Sequence, residues 1–170
     1  MVRKIRIVIL LLIMIAAAIG AWYFFADTES DEAHLRRVLS EIVLNITKRD
    51  GDGTTSNLIH SKALPGYFTS PCHVSLGGYV DSGDFTSESI TNNSMRIRSM
   101  FRSLSPAIKD LYLEIAPDGK TATADFAASI RGVLNNGEEA EGIRDLRCKM
   151  VKQDGKWKVG AVNIREVLEK

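Results

Sequence analysis

Histidine and cysteine are scarce: the 170 residues contain three of the first and two of the second. His34, His60 and His73 form no His-x-x-x-His pair, and Cys72 and Cys148 stand far apart, so no metal-ligand spacing is present and no metal is expected. The phosphate-loop, dinucleotide-binding and Gly-x-Ser-x-Gly signatures are all missing, which removes those catalytic classes and leaves no cofactor to expect. Asp50-Gly51-Asp52-Gly53-Thr54 starts like a calcium loop, but Ser61 stands where the twelfth-position Glu should be, so the segment reads as a polar turn. Charge of one sign is lacking too. With 22 Lys and Arg against 21 Asp and Glu, bulk attraction to nucleic acid is excluded.

Long apolar runs are also absent, with one exception. Residues 7–26 are unbroken by charge, and 20 residues of helix span about 30 Å, the hydrocarbon thickness of a bilayer. Trp22, Tyr23, Phe24 and Phe25 close the run, where amphipathic rings favour the headgroup layer. Arg3, Lys4 and Arg6 precede it, and Asp27, Glu29, Asp31 and Glu32 follow it. The positive-inside rule then puts residues 1–6 in the cytoplasm, a transmembrane signal anchor at 7–26, a linker at 27–30, and residues 31–170 outside. The expected location is a bacterial inner membrane, single-pass, with a periplasmic or otherwise extracytoplasmic domain. A cleaved signal peptide with a site at Ala16-Ala17-Ala18 is the alternative, and it would leave an apolar mature start.

The residues after the run carry 19 basic and 21 acidic groups and suit one domain. Leu35, Val38, Leu39, Ile42, Val43 and Ile46 recur at helical spacing, which predicts an amphipathic helix over 31–49. A short helix is expected at 56–64, stopped by Pro65-Gly66, a strand at His73–Val80, and a third helix at 87–104 with Ile90, Ile97, Phe101 and Leu104 on its apolar side. Asp118-Gly119, Asn136-Gly137 and Asp154-Gly155 mark three hairpins, 18 residues apart, between strands so long that the sheet must bend strongly. Alternation puts Ala122, Ala124, Phe126, Ala128 and Ile130 on one face, with Leu146, Cys148, Met150, Trp157, Val159 and Ala161. Asp125, Arg131, Asp145, Arg147 and Lys149 fall on the other face, as cross-strand charge pairs. The fold class is α+β: about three helices on a strongly curved antiparallel sheet.

This order of elements, and the closing hairpin Met150-Val151-Lys152-Gln153-Asp154-Gly155-Lys156-Trp157-Lys158-Val159, resembles the nuclear-transport-factor-2-like superfamily. That is the cone-shaped fold of ketosteroid isomerase and the SnoaL-like cyclases. The resemblance spans roughly residues 31–164. Two membrane-anchored branches share the layout of one span and one outer domain: the type IV secretion scaffold subunit and the Mce-associated proteins. The Asn-Pro-x-Gly motif of the former is absent here.

The resemblance implies that ligands enter the cone. Candidate pocket residues are Tyr79, Asp81, Tyr112, Arg144 and Asn163, with Phe126, Leu146, Met150 and Trp157 as apolar lining. Arg144 shares parity with Leu146, and Asn163 with Trp157. Cys72 and Cys148 could form a disulfide or pack as small hydrophobes. No residue is assigned a catalytic role. The expected function is a protein-interaction or small apolar ligand-binding module within an envelope assembly. Its expected partners are the bilayer through residues 7–26, and a partner protein or a second copy of the chain. The alternative is an anchored SnoaL-like enzyme using acid–base chemistry on an apolar substrate.

Overall fold

The computed structural model of the chain describes residues 30–75 and 82–165. The anchor expected at 7–26 and the pocket candidates Tyr79 and Asp81 lie outside the described residues. Among the described residues, no helix is long and apolar enough to cross a membrane.

Helix α1 (Asp31–Ile46) opens where Ser30 Oγ accepts the Ala33 N–H at 3.2 Å, with Asp31 and Glu32 favourably placed at the positive helix end. It buries Leu35, Val38 and Leu39. It stops three residues before the expected end, because Lys48 leaves the helix to exchange backbone hydrogen bonds with Leu104. Helix α2 (Thr54–Ala63) runs into a 3-10 turn at Leu64–Tyr67 that contains Pro65. Strand β1 (Phe68–Ser75) begins five residues before the expected start at His73. Strand β2 (Gly83–Phe85) is short. Helix α3 (Ser87–Met100) ends four residues before the expected end. Phe101 and Leu104 belong instead to β3 (Phe101–Ile115), and Ile97 is exposed. Then come β4 (Thr121–Leu134), β5 (Glu139–Gln153) and β6 (Lys156–Arg165).

The three glycine turns form as expected. Asp154 and Gly155 both take positive φ, 51° and 75°, which is the twist a two-residue hairpin needs. The strand order is β2-β1-β6-β5-β4-β3, and β1 runs parallel to β6. The sheet is therefore mixed, whereas antiparallel pairing throughout was expected. A meander fixes only neighbouring strands, and the last strand inserts beside the first.

Two irregularities bend the sheet and set its faces. In β3, Asp110 and Leu111 together oppose Phe126, and Asp110 takes a φ of 52°. In β6, Gly160 is the extra residue between the pairs Lys149↔Ala161 and Met150↔Val159. Each bulge reverses the parity of the residues beyond it. Gly132 answers to a different need: a side chain there would sit 2.7 Å from the Ser103 carbonyl oxygen and 2.8 Å from the Phe101 ring.

The core lies between α1 and the inner sheet face. Leu35, Val38 and Leu39 meet Cys72, Ala122, Ala124, Phe126, Cys148, Met150, Trp157 and Val159. Both thiols are free and buried. Cys148 pairs with Val162 of β6, and β1 lies beyond β6. Two strand spacings are roughly 9–10 Å, beyond the usual disulfide reach. Burial pushes the Cys72 thiol up to about 11 and the Cys148 thiol to about 12, so both act as small core hydrophobes.

Candidate functional site

The register separates the sheet's two faces residue by residue. Going up the inner face, β3 contributes Ile115, Leu113, Leu111 and Ile108; β4 contributes Ala122, Ala124, Phe126 and Ala128; β5 contributes Met150, Cys148, Leu146 and Arg144. The lower half is closed: Trp157, Met150, Val159 and Ala124 are all almost fully buried under α1. The upper half is open. Ile108, Ala128 and Leu146 are half-buried, and Ile130 above them is 43% exposed.

Two charged side chains belong to this face among the described strand residues, Lys152 and Arg144. Lys152 Nζ donates to Asp31 Oδ1 at 2.7 Å, and Trp157 Nε1 donates to the same oxygen at 2.9 Å. The Lys152 ammonium also sits 5.6 Å from the centre of the Trp157 ring. The hydrogen bond from Lys152, then that from Trp157, holds the Asp31 carboxyl below its ordinary value. Asp31 is thus committed to tying the first turn of α1 to the last hairpin. Arg144 sits across from Ala128 at the open end and, among the described residues, donates to the neighbouring Ile143 carbonyl at 2.7 Å.

The bulges redirect two of the expected pocket residues. Beyond Asp110 and Leu111, Tyr112 pairs with Asp125 on the outer face and is 63% exposed. Beyond Gly160, Asn163 pairs with Arg147 on the outer face and is exposed. Phe126, Leu146, Met150 and Trp157 do come together inside, and Arg144 stands at their rim.

The outer face is a charge ladder. Arg147 grips Asp125 through two hydrogen bonds of 2.7 and 3.0 Å, with Arg165 Nη2 3.5 Å away, and the Arg147 guanidinium lowers the Asp125 pKa. Arg131 pairs with Glu141 at 2.8 Å. A shallow depression of about 210 Å³ lies here, lined by Asp110, Tyr112, Asp125, Asp145 and Arg165 together with Phe126, Ala127 and Leu146.

Below the cone, a network appears that the sequence reading missed. The fully buried Arg98 donates through Nη1 to the carbonyls of Asn45, Ile46 and Thr47, the orphan acceptors at the end of α1. Its Nε donates to Asn57 Oδ1 at 3.2 Å, and its Nη2 faces the Asp52 carboxylate at 3.7 Å. Lys48 Nζ caps the end of α3 through the Arg98 and Phe101 carbonyls, at 2.9 and 2.6 Å. Arg98 and Lys48 therefore close the ends of α1 and α3. This cluster is structural.

The described chain, three helices on a curved six-stranded sheet closed at its narrow end, superposes widely on solved structures. A candidate scytalone dehydratase from Novosphingobium aromaticivorans DSM 12444 matches with a TM-score of 0.63 at 16% identity, covering 79% of this chain and 83% of that one. A type 2 hexachlorocyclohexane dehydrochlorinase matches with a TM-score of 0.60 at 13% identity, covering 79% and 83%. The fold is nuclear-transport-factor-2-like. The Kfla4162 protein of Kribbella flavida shares this fold over 85% of the present chain and 95% of its own, with a TM-score of 0.63 at 13% identity. No protein-family model and no curated protein matches the sequence. At these identities, the nuclear-transport-factor-2-like likeness concerns architecture.

Proposed function

We propose that the chain is a membrane-anchored, extracytoplasmic module whose cone receives a small apolar ligand. The observation that carries this reading is the upper inner wall. Ile108, Ala128 and Leu146 leave apolar surface half-covered, and outside the Asp110 bulge no carboxylate, histidine or tyrosine stands on that wall among the described strand residues. Such a surface offers burial to an apolar group. Two fold neighbours are a candidate scytalone dehydratase and a hexachlorocyclohexane dehydrochlorinase, so the fold accommodates catalysis.

Filling the wall tests the reading. The full chain in zwitterionic nanodiscs should enhance 1-aminoanthracene fluorescence above empty nanodiscs, and Ala128→Trp should weaken that binding about tenfold. Wild-type signal no greater than that of the empty discs would end the proposal.

The anchor and its orientation rest on residues 1–32 of the sequence. A phosphatase reporter fused after Lys170 should be active only outside the cytoplasm; a cytoplasmic reporter that works at this fusion would overturn the orientation. A second reading, docking of a partner protein, is favoured by the exposed Leu44, Ile59, Ile97 and Met100 on the three helices.

A further inference from the structure

We infer that the cone selects apolar molecules bearing one negative charge, and that Arg144 is the residue that reads it. The inference rests on the ligand-binding reading above and adds the ligand's charge class.

It starts from a count of charges on one surface. Among the described strand residues, and leaving aside the bulge residue Asp110, the inner face carries two cations and no anion. One cation, Lys152, is consumed at the closed end by Asp31. The other, Arg144, lies at the open end and makes no ion pair among the described residues. It stands one inner-face step up the strand from Leu146 and across from Ala128, so its backbone position is at the open edge of the half-covered apolar wall.

The contrast with the other face sharpens the point. There the arginines find partners: Arg147 and Arg165 converge on Asp125, and Arg131 meets Glu141. On the inner face the protein supplies a cation and withholds the anion. The planar fork of a guanidinium fits a carboxylate through two parallel hydrogen bonds. The surface is thus amphipathic in a definite order, an apolar floor with a cationic rim. Its complement is a carboxylate on a short apolar body, tail inward and head at Arg144.

The test separates the charge from the tail. The full chain in zwitterionic nanodiscs is titrated calorimetrically with octanoate and with octanamide, which have the same alkyl chain and differ in charge, and empty nanodiscs serve as blank. Octanoate should bind about tenfold more tightly than octanamide. Arg144→Gln should remove that advantage and leave octanamide binding unchanged, while Arg144→Lys should restore part of it. Arg144 is exposed, so these variants should keep the wild-type circular dichroism spectrum. Equal binding of the two probes to wild type, or an octanoate preference that survives Arg144→Gln, would overturn the inference and leave the ligand-binding reading standing. Binding of neither probe would overturn both.

Discussion

Arg98→Met is expected to lower the unfolding free energy by about 3–5 kcal/mol, the usual cost of removing one partner from a buried charged network. Methionine fills much of the same space but donates nothing. The carbonyls of Asn45, Ile46 and Thr47 would then remain buried without a donor, and Asp52 and Asn57 would lose their cation. An unsatisfied buried polar group costs about 1–3 kcal/mol, so several together reach that range even after partial relaxation. Urea unfolding of the full chain in micelles, followed by far-ultraviolet circular dichroism, measures it. A loss under 1 kcal/mol would show that the end of α1 finds other donors. Lysine at the same position should do little better, because one ammonium cannot span the carbonyls of α1 and Asn57 of α2 together.

Trp157→Ala should cost a similar amount, about 3–5 kcal/mol by the ordinary cost of emptying a buried aromatic site. Trp157 is 1% exposed and packs at the closed end of the cone. Its removal also takes one of the two donors from Asp31. The carboxyl is held below its ordinary value, so it stabilises the folded chain above the aspartate range and loses that contribution as the pH falls through the lowered value. The variant should therefore lose less on acidification than the wild type does. Phenylalanine would keep most of the volume and lose the hydrogen bond, so Trp157→Phe should fall between the two. The same urea experiment ranks the three proteins.

Much of this architecture was legible because its causes are local. Period-two alternation in β4 and β5 marked Phe126, Leu146, Cys148 and Met150 as inward, and the Asp-Gly and Asn-Gly pairs marked the turns. Asn163 faces outward although its parity with Trp157 pointed inward, and Tyr112 lies beyond a similar bulge. Parity arguments hold only along an unbroken strand, and an extra residue resets them. The bulge in β6 falls at Gly160, which offered a faint signal. The one in β3 is hosted by Asp110, a residue type that tolerates positive φ without announcing it. The early start of β1 was hidden by Pro71, which breaks a strand pattern yet sits at the register shift between Phe68 and His73. The role of Arg98 was not legible at all. A helix end 52 residues away decides it, and an arginine in a polar helix reads as solvated until the partners are seen.

The Asp31 tie also has a mechanical meaning. Any pull transmitted through residues 1–29 enters the domain at Ser30, at the first turn of α1. Lys152 and Trp157 grip Asp31 there, and they belong to β5 and β6, which have neighbouring strands on both sides. Tension therefore passes into the middle of the sheet within one residue of entry. The tie thus joins the start of α1 to two interior strands of the sheet, and not to an edge strand.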